Sequence, residues 1–206
     1  ILHESTVTKE QALELYQKLK DYPVTFDIFA DGGVYQERSR HNLITQLGIP
    51  ADHAAFMQRS RTPFDQSVEE FIDSVTTIER LGSYWSVSEG EKYQALVADA
   101  VASVKGLSGT ASMSMGMEIL ADGTSKGAAL QWLCNYLGIS TENVAAFGDS
   151  LNDVAMLSAA GMGTAVVNAR REDFEAATYI TLTNDEGVSR DSLRGHWESK
   201  RLALET

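Results

Sequence analysis

A chain of 206 residues with 43% hydrophobic and 22% charged side chains has an ordinary globular composition, enough for one large domain or two small ones. Its formal charge of −12 argues against nucleic acid or an anionic membrane as partner, because both are held by clustered Lys and Arg. No stretch approaches the roughly 18 uninterrupted apolar residues that span a bilayer. Residues Ile1–Glu10 lack the apolar run of a signal peptide. The single cysteine, Cys134, cannot form an internal disulfide, and it falls among Leu130, Leu133 and Leu137 at helical spacing, so it reads as a core residue. A cytoplasmic setting is expected, with oligomeric state open.

In chain order, Thr8–Leu19 reads as a helix with Thr8 as N-cap and Gln11 in capping-box position. Pro23 ends it. Val24–Ala30 and Val34–Glu37 read as a hairpin around Asp31-Gly32-Gly33. A helix over His41–Leu47 closes at Gly48, followed by a strand near Ala55–Gln58, a helix over Ser67–Asp73 and a strand over Val75–Leu81. A helix over Glu89–Val101 precedes a strand pair, Gly106–Met113 and Met117–Leu120. This predicts an α+β domain over residues 1–120, an antiparallel sheet with helices on one face.

After Ala121 helices and short apolar strands alternate. Helices are predicted over Ser125–Leu137, Asn152–Ala159, Arg171–Ala177 and Val188–Trp197, and strands over Val144–Phe147, Thr164–Val167 and Tyr179–Leu182. The alternation predicts a parallel, doubly wound sheet over residues 121–206. Three strands are few for such a sheet.

Two motifs in this half carry chemistry. Val144 to Phe147 runs into Gly148-Asp149-Ser150-Leu151-Asn152-Asp153. In open α/β sheets ligands bind outside the carboxyl ends of the strands, and Gly148 is read as a sharp turn presenting Asp149 there. Asp153 follows one helical turn later, so two carboxylates can converge on a site suited to Mg²⁺. The plainer reading makes Asp149 and Ser150 helix caps and Asp153 a dipole partner. The second motif, Asp122-Gly123-Thr124-Ser125-Lys126-Gly127, puts a lysine in the first turn of a helix, where a cation is electrostatically disfavoured. Unpaired N–H groups beside an ammonium would make a phosphate pocket, whereas the plainer reading, preferred for this motif alone, is an exposed lysine tolerated at a small cost.

Together with Gly161-Met162-Gly163, Val167-Asn168-Ala169 and Thr183–Val188, this succession resembles the haloacid dehalogenase superfamily, in its Cof-type branch of phosphatases with a large cap. The likeness is dense from Met117 to Val188. It implies a partial Rossmann-type core in residues 121–206 and a cap in residues 1–120. It further implies that Lys126 steadies the phosphate and offsets charge on the nucleophile, that Asp149 and Asp153 hold Mg²⁺ with Asp149 in a catalytic role, and that Asn152 contacts the phosphate. Asn168 falls in a Gly-Asn-Ala signature whose glycine is here Val167.

The family's Asp-x-Asp-Gly-Thr strand, which carries nucleophile and general acid/base, is not found. Asp27–Gly33 is a poor substitute, because its aspartates stand four apart and Phe29 takes the nucleophile's place. The expectation is a longer parent that hydrolyses a small phosphorylated metabolite through an upstream nucleophile. A non-catalytic phosphate- or Mg²⁺-binding module is the alternative.

Overall fold

The computed structural model describes residues 2–113 and 115–183 and the short strand Glu198–Ser199. The chain divides into two compact units, residues 1–122 and 123–206.

The first unit opens with helix α1 (Lys9–Leu19), which starts at Thr8 with the reciprocal Thr8–Gln11 capping box expected from the sequence. Strands β1 (Asp27–Ala30) and β2 (Gly33–Glu37) form the hairpin, turned by Asp31 at φ 49° and Gly32 at φ 77°. Asp31 secures this turn, its carboxylate accepting the backbone N–H groups of Thr76 and Thr77 at 2.9 and 3.0 Å. That engagement takes Thr76 and Thr77 out of strand pairing, so β4 runs later than expected, over Ile78–Tyr84.

Between β2 and β4 the chain makes α2 (Arg38–His41), a 3₁₀ turn over Asn42–Gln46, α3 (Ala51–Arg59), β3 (Thr62–Phe64) and α4 (Val68–Ser74). The strand expected over Ala55–Gln58 is part of α3. It follows Pro50, has Asp52 in its first turn and Arg59 in its last, and buries Ala54 and Met57. The intervening helices return the chain in its original direction, so β3 pairs parallel with β2. Helix α5 (Gly90–Ala102) and strands β5 (Leu107–Met113) and β6 (Gly116–Ala121) complete the unit. The sheet order is β3-β2-β1-β4-β6-β5. Every pairing but β2–β3 is antiparallel, so the expected antiparallel sheet is mixed at one edge.

One face of this sheet, including Ile28, Leu81 and Ile119, joins Leu15 and Leu19 of α1, Ile72 of α4 and Val97 of α5 in a continuous core, with Trp85 fully enclosed. The opposite face of β1 carries Asp27. Asp27 is completely buried, accepting from Arg61 Nε at 2.7 Å and from the Gln36 amide, while the Arg61 guanidinium lies over the Tyr84 ring. Burial raises the Asp27 carboxyl, against the opposing pull of Arg61 and the hydrogen bonds it accepts. Asp27 is an interior ion-pair residue of this unit.

The second unit alternates as expected. Its elements are α6 (Lys126–Leu137), β7 (Ala145–Gly148), α7 (Val154–Ala159), β8 (Met162–Val166), α8 (Arg171–Ala176) and β9 (Tyr179–Thr181). β7, β8 and β9 are parallel in register Ala145↔Met162 and Thr164↔Tyr179. The two-residue β10 (Glu198–Ser199), which the sequence did not reveal, adds antiparallel to β9. The helix expected over Val188–Trp197 lies outside the described residues. Helix α6 ends at Gly138 in the left-handed region, φ 68°. The core here is built from small residues, Ala146, Ala160, Ala165 and Ala177 around Leu157. Among the described residues no helix is long and apolar enough to cross a membrane.

Candidate active site at the end of strand β7

Among the described residues β7 stands at the edge of its sheet, and it ends at Gly148, the carboxyl edge where open α/β sheets place ligands. The backbone at Gly148 is not in the left-handed region, so the sharp turn expected there is not its role. Space is the reason for glycine: a Cβ on residue 148 would lie 2.4 Å from the Cβ of Asp153. The Asp153 side chain packs directly over the end of the strand.

Asp153 organises the loop. It occupies the N-cap of α7 but makes no side-chain capping bond. Its Oδ2 instead accepts the backbone N–H groups of Asp149 and Ser150 at 3.1 and 3.3 Å, folding residues 149–153 back on the strand end. Its Oδ1 accepts from Lys126 Nζ at 2.5 Å. Asp153 is buried while the Lys126 side chain is about half exposed, 48%, and Asp149 is exposed. The capping alternative for Asp149 and Ser150 therefore does not hold for α7, which begins at Val154.

Lys126 arrives from the second motif. Ser125 is the N-cap of α6, its hydroxyl accepting the Ala128 N–H at 3.0 Å, and this puts Lys126 in the first helical position. Gly127 lets α6 approach α7 closely, since a Cβ there would sit 2.6 Å from the Ala155 carbonyl oxygen. The two motifs, 27 residues apart, thus meet through one charged pair.

Of the four residues singled out in the sequence, Lys126 and Asp153 are joined directly, and Asp149 is tied to Asp153 through its backbone. Asn152 precedes Asp153, and its side-chain oxygen is buried without a hydrogen-bond partner. A further residue escaped sequence reasoning. Asp173, on α8, has no exposed surface, and both its carboxylate oxygens lack a partner. Burial raises its carboxyl first, and the charges of Asp153 and Asp149 raise it further. No local signal pointed to it, since a single acid in the six-residue α8 reads as a solvated side chain.

The donor set suits a hard divalent cation. Carboxylate and amide oxygens predominate, and two of the side chains leave buried acceptors unpaired. Among the described residues no three His, Cys, Asp or Glu side chains are grouped closely enough to enclose a metal by themselves.

Fold and site together define a parallel α/β unit with a lysine–aspartate pair at the carboxyl end of a strand. The model of the haloacid dehalogenase-like hydrolases matches residues 1–190, and the chain belongs to that family. Phosphatase YwpJ of Bacillus subtilis is 28% identical over 212 residues, covering 90% of this chain and 70% of that protein. The 5-amino-6-(5-phospho-D-ribitylamino)uracil phosphatase YcsE of the same species is 34% identical over 183 residues, covering 84% and 72%. A solved haloacid dehalogenase-like hydrolase from B. subtilis superposes with a TM-score of 0.75 at 26% identity, over 91% of this chain and 70% of its own. The sequence expectation of a Cof-type phosphoric monoester hydrolase with an α/β fold stands.

Proposed function

We propose that the chain is the greater part of a Mg²⁺-dependent phosphatase that hydrolyses a small phosphorylated metabolite, a sugar phosphate or similar compound, through an aspartyl-phosphate. The observation that carries this reading is the Lys126–Asp153 pair at the end of β7, with Asp153 clasping the Asp149 and Ser150 N–H groups. The nucleophile would come from outside residues 1–206. Among the described residues β7 is an edge strand, and a further strand pairing parallel to it would end beside Gly148 and Asp149.

In this reading Asp149 and Asp153 hold Mg²⁺, which neutralises charge on the phosphoryl oxygens. Lys126, half exposed while its ammonium is steadied by Asp153, reaches the phosphoryl group and offsets charge as the bond to the leaving group breaks. Asn152 contributes a phosphate contact. Residues 1–120 act as a cap that excludes water and selects the leaving group. YcsE, 34% identical, is named for a phosphorylated ribityl compound, which favours a polyhydroxylated substrate. A cytoplasmic enzyme acting on a soluble metabolite fits the composition.

Beryllofluoride, which mimics an aspartyl-phosphate, tests the proposal on the longer parent chain. Mg²⁺-dependent formation of a stable adduct on an aspartate is expected. If Mg²⁺ binds but no adduct forms, the site is a binding module and the phosphatase assignment fails.

A further inference from the structure

Helices α1, α4 and α5 of the first unit share a core with one face of its sheet, the face of Ile28, Leu81 and Ile119. The other face is built differently. Strand register sets Phe29 of β1 beside Arg80 of β4, and sets Asp27, Gly82, Glu118 and Thr110 side by side across β1, β4, β6 and β5. On this face aromatic rings lie down on the backbone. A Cβ at residue 116 would sit 2.5 Å from the Tyr84 ring, and one at residue 82 would meet Phe29 at 3.4 Å and Tyr84 at 3.6 Å. The two glycines therefore let both rings lean in over the strands.

Each ring carries a guanidinium. Arg61 lies over Tyr84 and is buried with Asp27, so that pair belongs to the interior. Arg80 is different because it remains accessible. Its guanidinium carbon lies 3.9 Å from the Phe29 ring centroid and its Nη1 donates to Glu118 Oε1 at 2.5 Å, yet the Arg80 and Glu118 side chains stay 33% and 25% exposed. Ring and carboxylate together fix the plane of the guanidinium. The ion pair uses only part of the donor set of Arg80 and of the acceptor set of Glu118, and both side chains keep surface that a ligand can reach.

An arginine already paired with a glutamate is a poor site for a free anion, because the carboxylate cancels its charge. A donor and an acceptor held side by side against an aromatic ring suit neighbouring hydroxyl groups instead, with the ring packing on the C–H bonds between them. We infer that Phe29, Arg80 and Glu118 form a specificity-determining subsite for the hydroxyl-bearing leaving group of the phosphorylated substrate. The inference rests on the reading of residues 1–120 as the part that selects the leaving group. Arg80 donates to the hydroxyls and Glu118 accepts from them, while Phe29 holds Arg80 in plane. None of the three takes part in phosphoryl transfer.

The test uses the longer parent chain and compares phosphorylated polyols and sugars with p-nitrophenyl phosphate, whose leaving group bears no hydroxyl. Arg80→Ala and Glu118→Ala should each lower kcat/KM for the hydroxylated substrates about tenfold or more relative to p-nitrophenyl phosphate, because a charge-assisted hydrogen bond to the substrate is lost. The loss should fall mainly on KM. Arg80→Lys keeps the charge but not the planar donor set, and should shift the ratio in the same direction. An unchanged ratio would make the group a surface ion pair of the sheet and overturn the inference. Equal losses on both kinds of substrate, with a lowered melting temperature, would show a structural role and overturn it too. Failure of the wild type to turn over either kind would remove the phosphatase reading, and this subsite with it. Should Arg80→Ala fail to fold, Arg80→Lys and Glu118→Gln carry the comparison.

Discussion

Two buried aspartates, one in each unit, are treated in opposite ways. In the first, Asp27 lies inside the protein with Arg61 and Gln36 on its two oxygens, and the outer side of Gln36 is met by the His41 ring nitrogen at 3.2 Å. In the second, Asp173 and the Asn152 oxygen are buried with nothing on them. The cores differ in parallel, since the first unit encloses Trp85, Phe26 and a large aliphatic set, whereas the second is built largely from alanines around Leu157. A satisfied network stabilises or specifies a fold. Buried polar atoms without a partner occur in the first unit as well, at Arg40 Nε, Glu79 Oε2 and Trp85 Nε1, so it is the Lys126–Asp153 pair at the end of β7 that directs the proposed chemistry to residues 123–206.

Breaking the satisfied network should have the largest effect on stability. Arg61→Ala leaves Asp27 as an uncompensated buried charge and should destabilise the chain by about 3–5 kcal/mol, read by denaturant unfolding. Replacing Asp27 and Arg61 together by apolar residues of similar volume should recover most of that loss. A double variant as unstable as Arg61→Ala would show that the network does more than neutralise Asp27. Gly148→Ala sharpens the other side of the comparison. The added methyl must displace Asp153, costing about 1–3 kcal/mol and weakening Mg²⁺ binding as read by calorimetric titration. Unchanged affinity would mean that Asp153 tolerates displacement.

Smaller effects are expected where neither network is touched. Ser67 is the N-cap of α4 in a capping box with Glu70, and Ser67→Ala should lower stability by about 1 kcal/mol without altering cation binding. The Asp31 turn gives a pH signature. The Thr76 and Thr77 N–H groups hold the Asp31 carboxyl below the usual aspartate range. Its folded value is thus depressed, and the stability it contributes is present above the ordinary aspartate range and lost as pH falls through the lowered value. Asp31→Asn, which tolerates the left-handed backbone, should flatten the acid limb of the melting profile; an unchanged limb would remove Asp31 from the acid response.

Local signals carried much of the fold. Caps at Thr8, Ser67 and Ser125 and the Asp31-Gly32 turn are local chemistry, and their elements lie within a few residues of expectation. β3 and α3 were less legible. Three residues containing a proline give no alternation, and the Ala-Ala-Phe-Met stretch of α3 reads as either a short strand or a helix until the chain's return direction is known. In the site, the spacing of Gly148, Asp149 and Asp153 pointed to convergent carboxylates, but Gly148 proved to be required for contact with Asp153 rather than for a turn. The Lys126–Asp153 pair depends on how α6 meets α7, a tertiary fact. Asp173 was hidden for the same reason, since a single acid in a short helix resembles a solvated residue until its burial is seen.

The central claim is that Lys126 and the β7 edge form a phosphoryl-transfer site. Turnover of phosphorylated polyols and sugars by the longer parent chain, compared between wild type and Lys126→Ala, tests it most directly. A fall in kcat of about 10²-fold or more is expected, because a charge-stabilising donor at the transferring group is lost. Normal turnover in the variant would contradict the account.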